Sequence, residues 1–286
     1  MNRREFMRGL AVGAGGVVAR AAFGAASAPE IAAQSFCFCV ATDPHCSEGP
    51  KEGLESLGSG VDKFLRALRM MEEMAGEERP DFVLVTGDIH PQALAGKLDG
   101  VKIPIHAVPG NHESDPDTRK ALREMFPDDF HMDGKPSDHY SFVHKGARFI
   151  GVCDAGKGGE HIGQFCSENI QPNGQCEWLE KELSGPEPRK FVFAHIPPER
   201  HGEDRDMHMS RNDSRWFNQL VREKKPTALF FGHLHRPTEE YMAGESRVFT
   251  VRSCSWNFDR KPVGFLHVKV TETGMETREI ETGQYA

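Results

Sequence analysis

Residues 230–237 read FFGHLHRP, two histidines separated by one residue directly after an aromatic run and a glycine. On its own such a pair means little in a chain with 14 histidines. A lone histidine is more often packed or solvated than a ligand. The stretch becomes decisive beside the other apolar runs. FCFCVAT (36–42), DFVLVTG (81–87), IPIHAVPG (103–110), KFVFAH (190–195) and TALFFGH (227–233) are short, rich in Val, Phe or Ile, and bounded by turn residues. That is the pattern of buried strands. Each run leads into ligand-type residues: Asp43 and His45 in DPH, Asp88 in GDIH, Asn111 and His112 in GNHE, His195 in HIPP, His233 and His235 in GHLH. In open α/β sheets the loops leaving the strand ends converge on one crevice. Five strands each delivering Asp, Asn or His therefore predict one polar site.

Helical spacing separates several of these strands. Val61, Phe64, Leu65, Leu68, Met71 and Met74 form one such pattern. DTRKALREMF (117–126), the segment around Trp178, Leu179 and Leu183, and NDSRWFNQLV (212–221) form three more. HYSFVH and ARFIGVC flank Lys145-Gly146 as a hairpin, and strands near SRVFTVRS and GFLHVKV close the chain. This order predicts an α/β fold with mixed sheets and helices outside. Two long polar loops, 154–175 and 197–213, are placed to wall the site and set specificity.

The donors are carboxylate, amide and imidazole without thiolate, which suits Mn, Fe or Zn. Seven candidates are too many for one ion. Two divalent ions about 3.5–4 Å apart, bridged by one carboxylate, use them naturally. Side chains two apart on an extended chain point the same way, about 6.6 Å apart. Asp43 with His45, and His233 with His235, are expected to face the site in that manner.

The series D-x-H, GD, GNH[DE], H, GH-x-H resembles that of the calcineurin-like metallophosphoesterases, in order, from residue 36 to about 240. The resemblance implies a four-layer αββα sandwich of two mixed β-sheets flanked by helices. It implies two divalent transition metal ions, one held by Asp43, His45 and His235 and the other by Asn111, His195 and His233, with Asp88 bridging. His112 would stand near the leaving group as the catalytic acid. The implied reaction is hydrolysis of a phosphodiester or phosphomonoester by attack of a metal-bridging hydroxide. Purple acid phosphatases carry a tyrosine three residues after the bridging aspartate, where this chain has Pro91, so an iron–tyrosinate centre is excluded. The pattern is nearer to the cyclic-nucleotide and glycerophosphodiester phosphodiesterase branch. A metal-independent interaction domain on the same fold would lack several ligands, and none is missing here. A nuclease ranks below a small-molecule phosphoesterase, because the formal charge is −8 and no basic block offers a nucleic-acid groove.

Residues 1–33 read as an address and short linker, leaving 34–286 as a single phosphoesterase domain. Arg3 and Arg4, then Phe6, a Gly/Ala-rich run and AASA ending at Ala28 resemble a twin-arginine (Tat) signal peptide. Pro29 follows the A-x-A site directly and leaves the cleaved bond open. Arg20 and the glycines make no stable membrane span. The expectation is export by the Tat translocase to the periplasm or beyond. Seven cysteines at irregular spacing form no disulfide framework, and Cys166 with Cys176, flanking a polar loop, is the one suspected pair. His106, His139, His144 and His267 are expected to lie in strands as structural groups. His90 is a candidate for contact with a ligand side chain or the substrate, whereas His161, His201 and His208 sit on the long loops. Asp154 and RSCSWNF (252–258) carry no role that the sequence assigns.

Overall fold

The structure, a computed structural model, describes residues 34–155, 160–165, 167–201 and 206–286. The signal segment and Cys166 lie outside the described residues. From the N-terminal side, β1 (Phe36–Ala41), α1 (Gly60–Glu72), β2 (Val83–Thr86), α2 (Pro91–Leu94), β3 (Ile105–Val108) and α3 (Pro116–Met125) alternate. A two-stranded ribbon, β4 (His131–Met132) and β5 (Lys135–Pro136), precedes the hairpin β6 (Tyr140–His144) and β7 (Ala147–Gly151). Then come α4 (Gln175–Leu183), β8 (Arg189–Phe193), α5 (Arg211–Lys224) and β9 (Ala228–Phe231). β10 (Glu239–Ala243), β11 (Ser246–Thr250), β12 (Val263–Val270) and β13 (Met275–Gly283) complete the chain.

The strands form two mixed sheets, ordered β13-β12-β1-β2-β3 and β10-β11-β9-β8-β7-β6. β1, β2 and β3 run parallel, as do β7, β8, β9 and β11, and antiparallel strands edge both sheets. The period-2 alternation of the strands decides how the layers stack. Phe38 of β1 meets Phe149, Phe191 and Phe230 of the other sheet edge-on, at centroid distances of 5.2–5.6 Å. These rings are fully buried, and each contributes about 1.5–3 kcal/mol by leaving water. The alternate residues Ile150, Val192, Leu229, Phe231 and Val248 face outward and pack with Leu179 and Leu183 of α4 and Phe217, Leu220 and Val221 of α5. On the first sheet Phe64, Ala67, Leu68 and Met71 of α1 supply the covering face. α1 starts at a capping box in which Ser59 and Asp62 satisfy each other's backbone N–H, and Ser210 caps α5 by accepting from Asp213 N.

The five predicted strands and four predicted helices stand within a few residues of where the pattern placed them. Lys145 and Gly146, both at positive φ, make the hairpin turn. β10 and β13 lie outside the strands that the sequence pattern predicts. Both are edge strands with mostly exposed, charged sequences (EEYMA, METREIETG), so burial gives them no apolar signature. His139 precedes β6 instead of lying in it. No helix among the described residues is long and apolar enough to cross a membrane.

Candidate metal centre

The parallel strands β1, β2, β3, β8 and β9 deliver all seven sequence-predicted ligands to one edge. Asp43 Oδ1 lies 3.2 Å from His235 Nε2 and 4.0 Å from His45 Nε2, and the two imidazole nitrogens are 3.0 Å apart. Beside this trio, His195 Nε2 lies 3.0 Å from Asn111 Oδ1, 3.1 Å from His233 Nδ1 and 3.3 Å from Asp88 Oδ2. Asp88 Oδ2 also comes within 3.6 Å of His45 Nε2, so Asp88 alone reaches toward both groups. His112 stands at the mouth, its side chain 40% exposed, with Nε2 3.9 Å from Asp88 Oδ2.

The local backbone differs from the extended geometry expected for D-x-H and H-x-H. Asp43, His45, Asp88, His90, His233 and His235 all have φ between 45° and 69°. This left-handed conformation is unfavourable for residues with a Cβ and persists only where surrounding structure enforces it. Left-handed turns redirect the side chains, and that is why His233 joins His195 and Asp88 while His235, two residues on, joins Asp43 and His45. The glycines of the motifs allow close approach. A Cβ on Gly110 would lie 2.2 Å from Asp88 Oδ1, and one on Gly232 would lie 1.7 Å from Thr42 Oγ1.

Residues that the sequence left without a role enforce this geometry. Glu113, fully buried, accepts from Asp88 N (3.0 Å), Gly110 N (2.8 Å) and His90 N (2.8 Å), binding two motif loops together. Its signal was present in the GNHE motif, as an acid three residues after a glycine. Asp154 accepts from the backbone N–H of His195 and Ile196. Ser253 donates to the Asp43 carbonyl, and the Trp256 carbonyl accepts from His235 Nδ1 at 2.7 Å while its ring stacks on that imidazole at 3.8 Å. Ser253 and Trp256 carry no local motif, because their role exists only once β12 lies beside β1. The loop containing His161 does reach the site, since the His161 carbonyl is 3.2 Å from His233 Nε2. Of the four histidines expected to be structural, His106, His144 and His267 pair with Asp129, Asp81 and the Glu78 carbonyl, whereas both ring nitrogens of buried His139 lack a hydrogen bond. Cys176 is disulfide-bonded.

The orientation of the imidazoles tests whether cations fit. His195 Nδ1 is 2.7 Å from the Thr86 carbonyl and His235 Nδ1 is held by Trp256, so each donates from Nδ1 and turns Nε2 inward. Asp43 Oδ2 already accepts from His233 N and Thr42 Oγ1, while Oδ1 is buried with no hydrogen-bond partner. With these inward ring nitrogens unprotonated, carboxylate, amide and imidazole acceptors point at one another. Divalent cations satisfy such an arrangement, and hydrogen bonds among these groups alone do not.

The titration behaviour has the same origin. Burial opposes ionisation of both aspartates, yet His235 holds the Asp43 pKa well below the usual carboxylate range and His195 does the same for Asp88. Against burial, the charges of Asp88, Asp43 and Asp154 carry His195 up to about 10. Burial lowers its neighbour His233 to about 3, with the His195 charge adding to the effect. Burial likewise takes His45 down to about 4. In the metal-free protein a proton on His195 serves as a counter-charge for Asp88, and the charge of Asp43 pushes His235 upward against burial. Burial raises Glu113 to about 7, aided by the charge of Asp88, and raises Asp154 to about 7.

The calcineurin-like phosphoesterase family matches residues 38–237. The chain belongs to that family. It is 30% identical over 179 residues to a Rhodopseudomonas palustris protein named as a probable cyclic nucleotide phosphodiesterase, across 56% of this chain and 59% of that relative. This phosphoesterase chain also superposes on a dimetal phosphatase from Danio rerio with a TM-score of 0.62 and 17% identity, covering 87% of this chain and 97% of that one. A purple acid phosphatase from yellow lupin seeds gives 0.60 at 12% identity, over 89% and 53%. At these identities the two structures share the fold. Pro91, three residues after Asp88, opens α2.

Proposed function

We propose that the protein is a binuclear-metal-dependent phosphoesterase acting on a small phosphodiester. The observation that carries this reading is the convergence of buried ligand-type atoms: Asp43 Oδ1, His235 Nε2 and His45 Nε2 on one side, Asn111 Oδ1, His195 Nε2 and His233 Nδ1 on the other, with Asp88 between. When bound, two divalent ions supply Lewis acidity and lower the pKa of a coordinated water toward neutrality. Asp43, His45 and His235 would hold one, Asn111, His195 and His233 the other, and Asp88, which lies near both groups, would serve either. The Thr86 and Trp256 carbonyls keep the inward nitrogens of His195 and His235 unprotonated in that state. His112, exposed at the mouth beside Asp88, gives a proton to the departing alkoxide, worth about 10²–10⁴-fold. Likeness to a cyclic-nucleotide enzyme supports a diester over a monoester. The twin arginines of the N-terminal segment support an exported enzyme that meets its substrate outside the cytoplasm.

The experiment is a panel of cyclic nucleotides, glycerophosphodiesters and phosphomonoesters, each with Mn²⁺, Zn²⁺, Fe²⁺ and Co²⁺. Metal-dependent turnover of a diester is expected. A protein that takes up two ions yet hydrolyses none of these esters would refute the proposal.

A further inference from the structure

His90 is a site imidazole that the proposed mechanism does not use. Its backbone is left-handed (φ 57°) and its N–H donates to Glu113 Oε1, which sets the direction in which the side chain leaves the main chain. Its ring centroid lies 4.8 Å from that of His112 and 5.4 Å from that of His45. His90 Nε2 is buried and has no hydrogen-bond partner. A buried ring nitrogen left without a partner costs about 1–3 kcal/mol, which a ligand would recover.

His45, His90 and His112 bring ring nitrogens within 4.8 Å of one another, so a third cation is the first chemistry to weigh. His45 argues against it. Its Nε2 faces His235 Nε2 at 3.0 Å and Asp88 at 3.6 Å, and its Nδ1 faces Glu48 at 3.5 Å. As a ligand through Nε2 it carries its proton on Nδ1, on the side of Glu48, and a neutral imidazole then has no second lone pair for another ion. His90 and His112 alone are a poor cation site, but two N–H groups from adjacent imidazoles suit an anionic oxygen.

We infer that His90 is a phosphoryl-binding residue, which with His112 clasps an oxygen of the substrate phosphoryl group and of the phosphate or phosphomonoester released. The inference rests on the phosphoesterase reading above. His90 donates one hydrogen bond to the phosphoryl oxygen and exchanges no proton with it. Its position two residues beyond Asp88 couples the clasp to the loop that carries the carboxylate between the two groups.

The test uses the Mn²⁺-loaded protein, His90→Phe and His90→Asn, with inorganic phosphate as probe. Phenylalanine keeps the ring and removes both nitrogens, and asparagine tolerates the left-handed backbone but is too short to reach. Calorimetry should show phosphate Kd weakened about ten- to hundred-fold in both variants, the usual worth of a hydrogen bond to a charged group. Bound manganese should remain at the wild-type level. Phosphate affinity within twofold of wild type would overturn the inference. Loss of manganese in both variants would overturn it too, by making His90 a support of the ions. Phosphate titration needs no turnover, so a wild-type protein that binds phosphate but hydrolyses no ester would count against the proposed function and leave this result readable.

Discussion

Replacing Glu113 tests the claim that the site is pre-formed by a buried acid. Its carboxylate binds three backbone N–H groups, those of Asp88, His90 and Gly110, at 2.8–3.0 Å. Oε2 takes Asp88 and Gly110, and Oε1 takes His90. In Glu113→Gln the amide oxygen can keep the first two, but the NH₂ group then meets the His90 N–H donor to donor. At pH 8 and above, where Glu113 is ionised, one charge-assisted bond is lost and two donors oppose each other, about 2–4 kcal/mol in all. For a chain of this size each kcal/mol lowers Tm by about 2–4 °C, so Tm should fall by roughly 5–15 °C. Glu113→Ala strands three buried donors at about 1–3 kcal/mol each, a sum comparable to the whole stability of a domain. The glutamine variant is therefore the informative one.

Its effect on turnover should exceed what stability accounts for. Release of His90 N loosens the loop that carries Asp88, and a displacement of about 1 Å at a reacting centre costs on the order of 10² in rate. The assay is thermal unfolding, metal content and kcat on one diester, all well below the variant's own Tm. Wild-type Tm and kcat in Glu113→Gln would refute the argument that this acid holds the two loops in place.

Other expectations follow from the same geometry. Asp88→Asn should lower metal content and reduce kcat by more than 10³-fold, and full rate with two ions bound would mean the bridging assignment is wrong. His112→Ala should keep both metals and lose rate mainly on alkyl esters, because an aryl oxide departs without an acid; equal losses on both ester types would remove it from that role. His195, at about 10, is protonated at pH 7 in the metal-free protein, so loading with Zn²⁺ should release at least one proton, read by calorimetry in two buffers; a buffer-independent enthalpy would contradict this. Because this folded-state pKa is raised above 6.5, His195 stabilises the metal-free fold below about pH 6.5 and that contribution is lost as pH rises toward 10, which denaturation midpoints across that range should show. Replacing Arg3 and Arg4 by lysine should retain active protein in the cytoplasm, and undiminished export would sink the Tat reading.

The sequence displayed the ligands more clearly than the structure around them. Strand ends rich in Val and Phe, each followed by Asp, Asn or His, are local features, and the seven ligand-type residues and His112 stand together at one edge as that pattern implied. The supports were less legible because each acts on residues far along the chain. Ser253 bonds the carbonyl of Asp43, 210 residues away, and the Trp256 carbonyl orients His235 across a loop that no periodicity describes. Asp154 looks like an ordinary loop acid until β7 and β8 pair and place it under the His195 backbone. Glu113 lay in plain view within a motif, but its partners at Asp88 and His90 belong to another strand end.

Asp43 and His45 do face one group, but the extended backbone expected for D-x-H and H-x-H failed for an instructive reason. Extended geometry would send Asp43 and His45, and likewise His233 and His235, toward one point about 6.6 Å apart. Two cations 3.5–4 Å apart need something else: one histidine of the GHLH pair on each side. Left-handed φ at His233 and His235 achieves the division within three residues. Such backbone costs about 1–3 kcal/mol per residue, and six of the site's residues adopt it. That cost is offset locally by Glu113, Asp154 and Ser253, whose bonds are all to backbone groups of the site loops. The strain is thus borne by the folded chain before any cation arrives, and metal affinity is spent on binding instead of on ordering the loops.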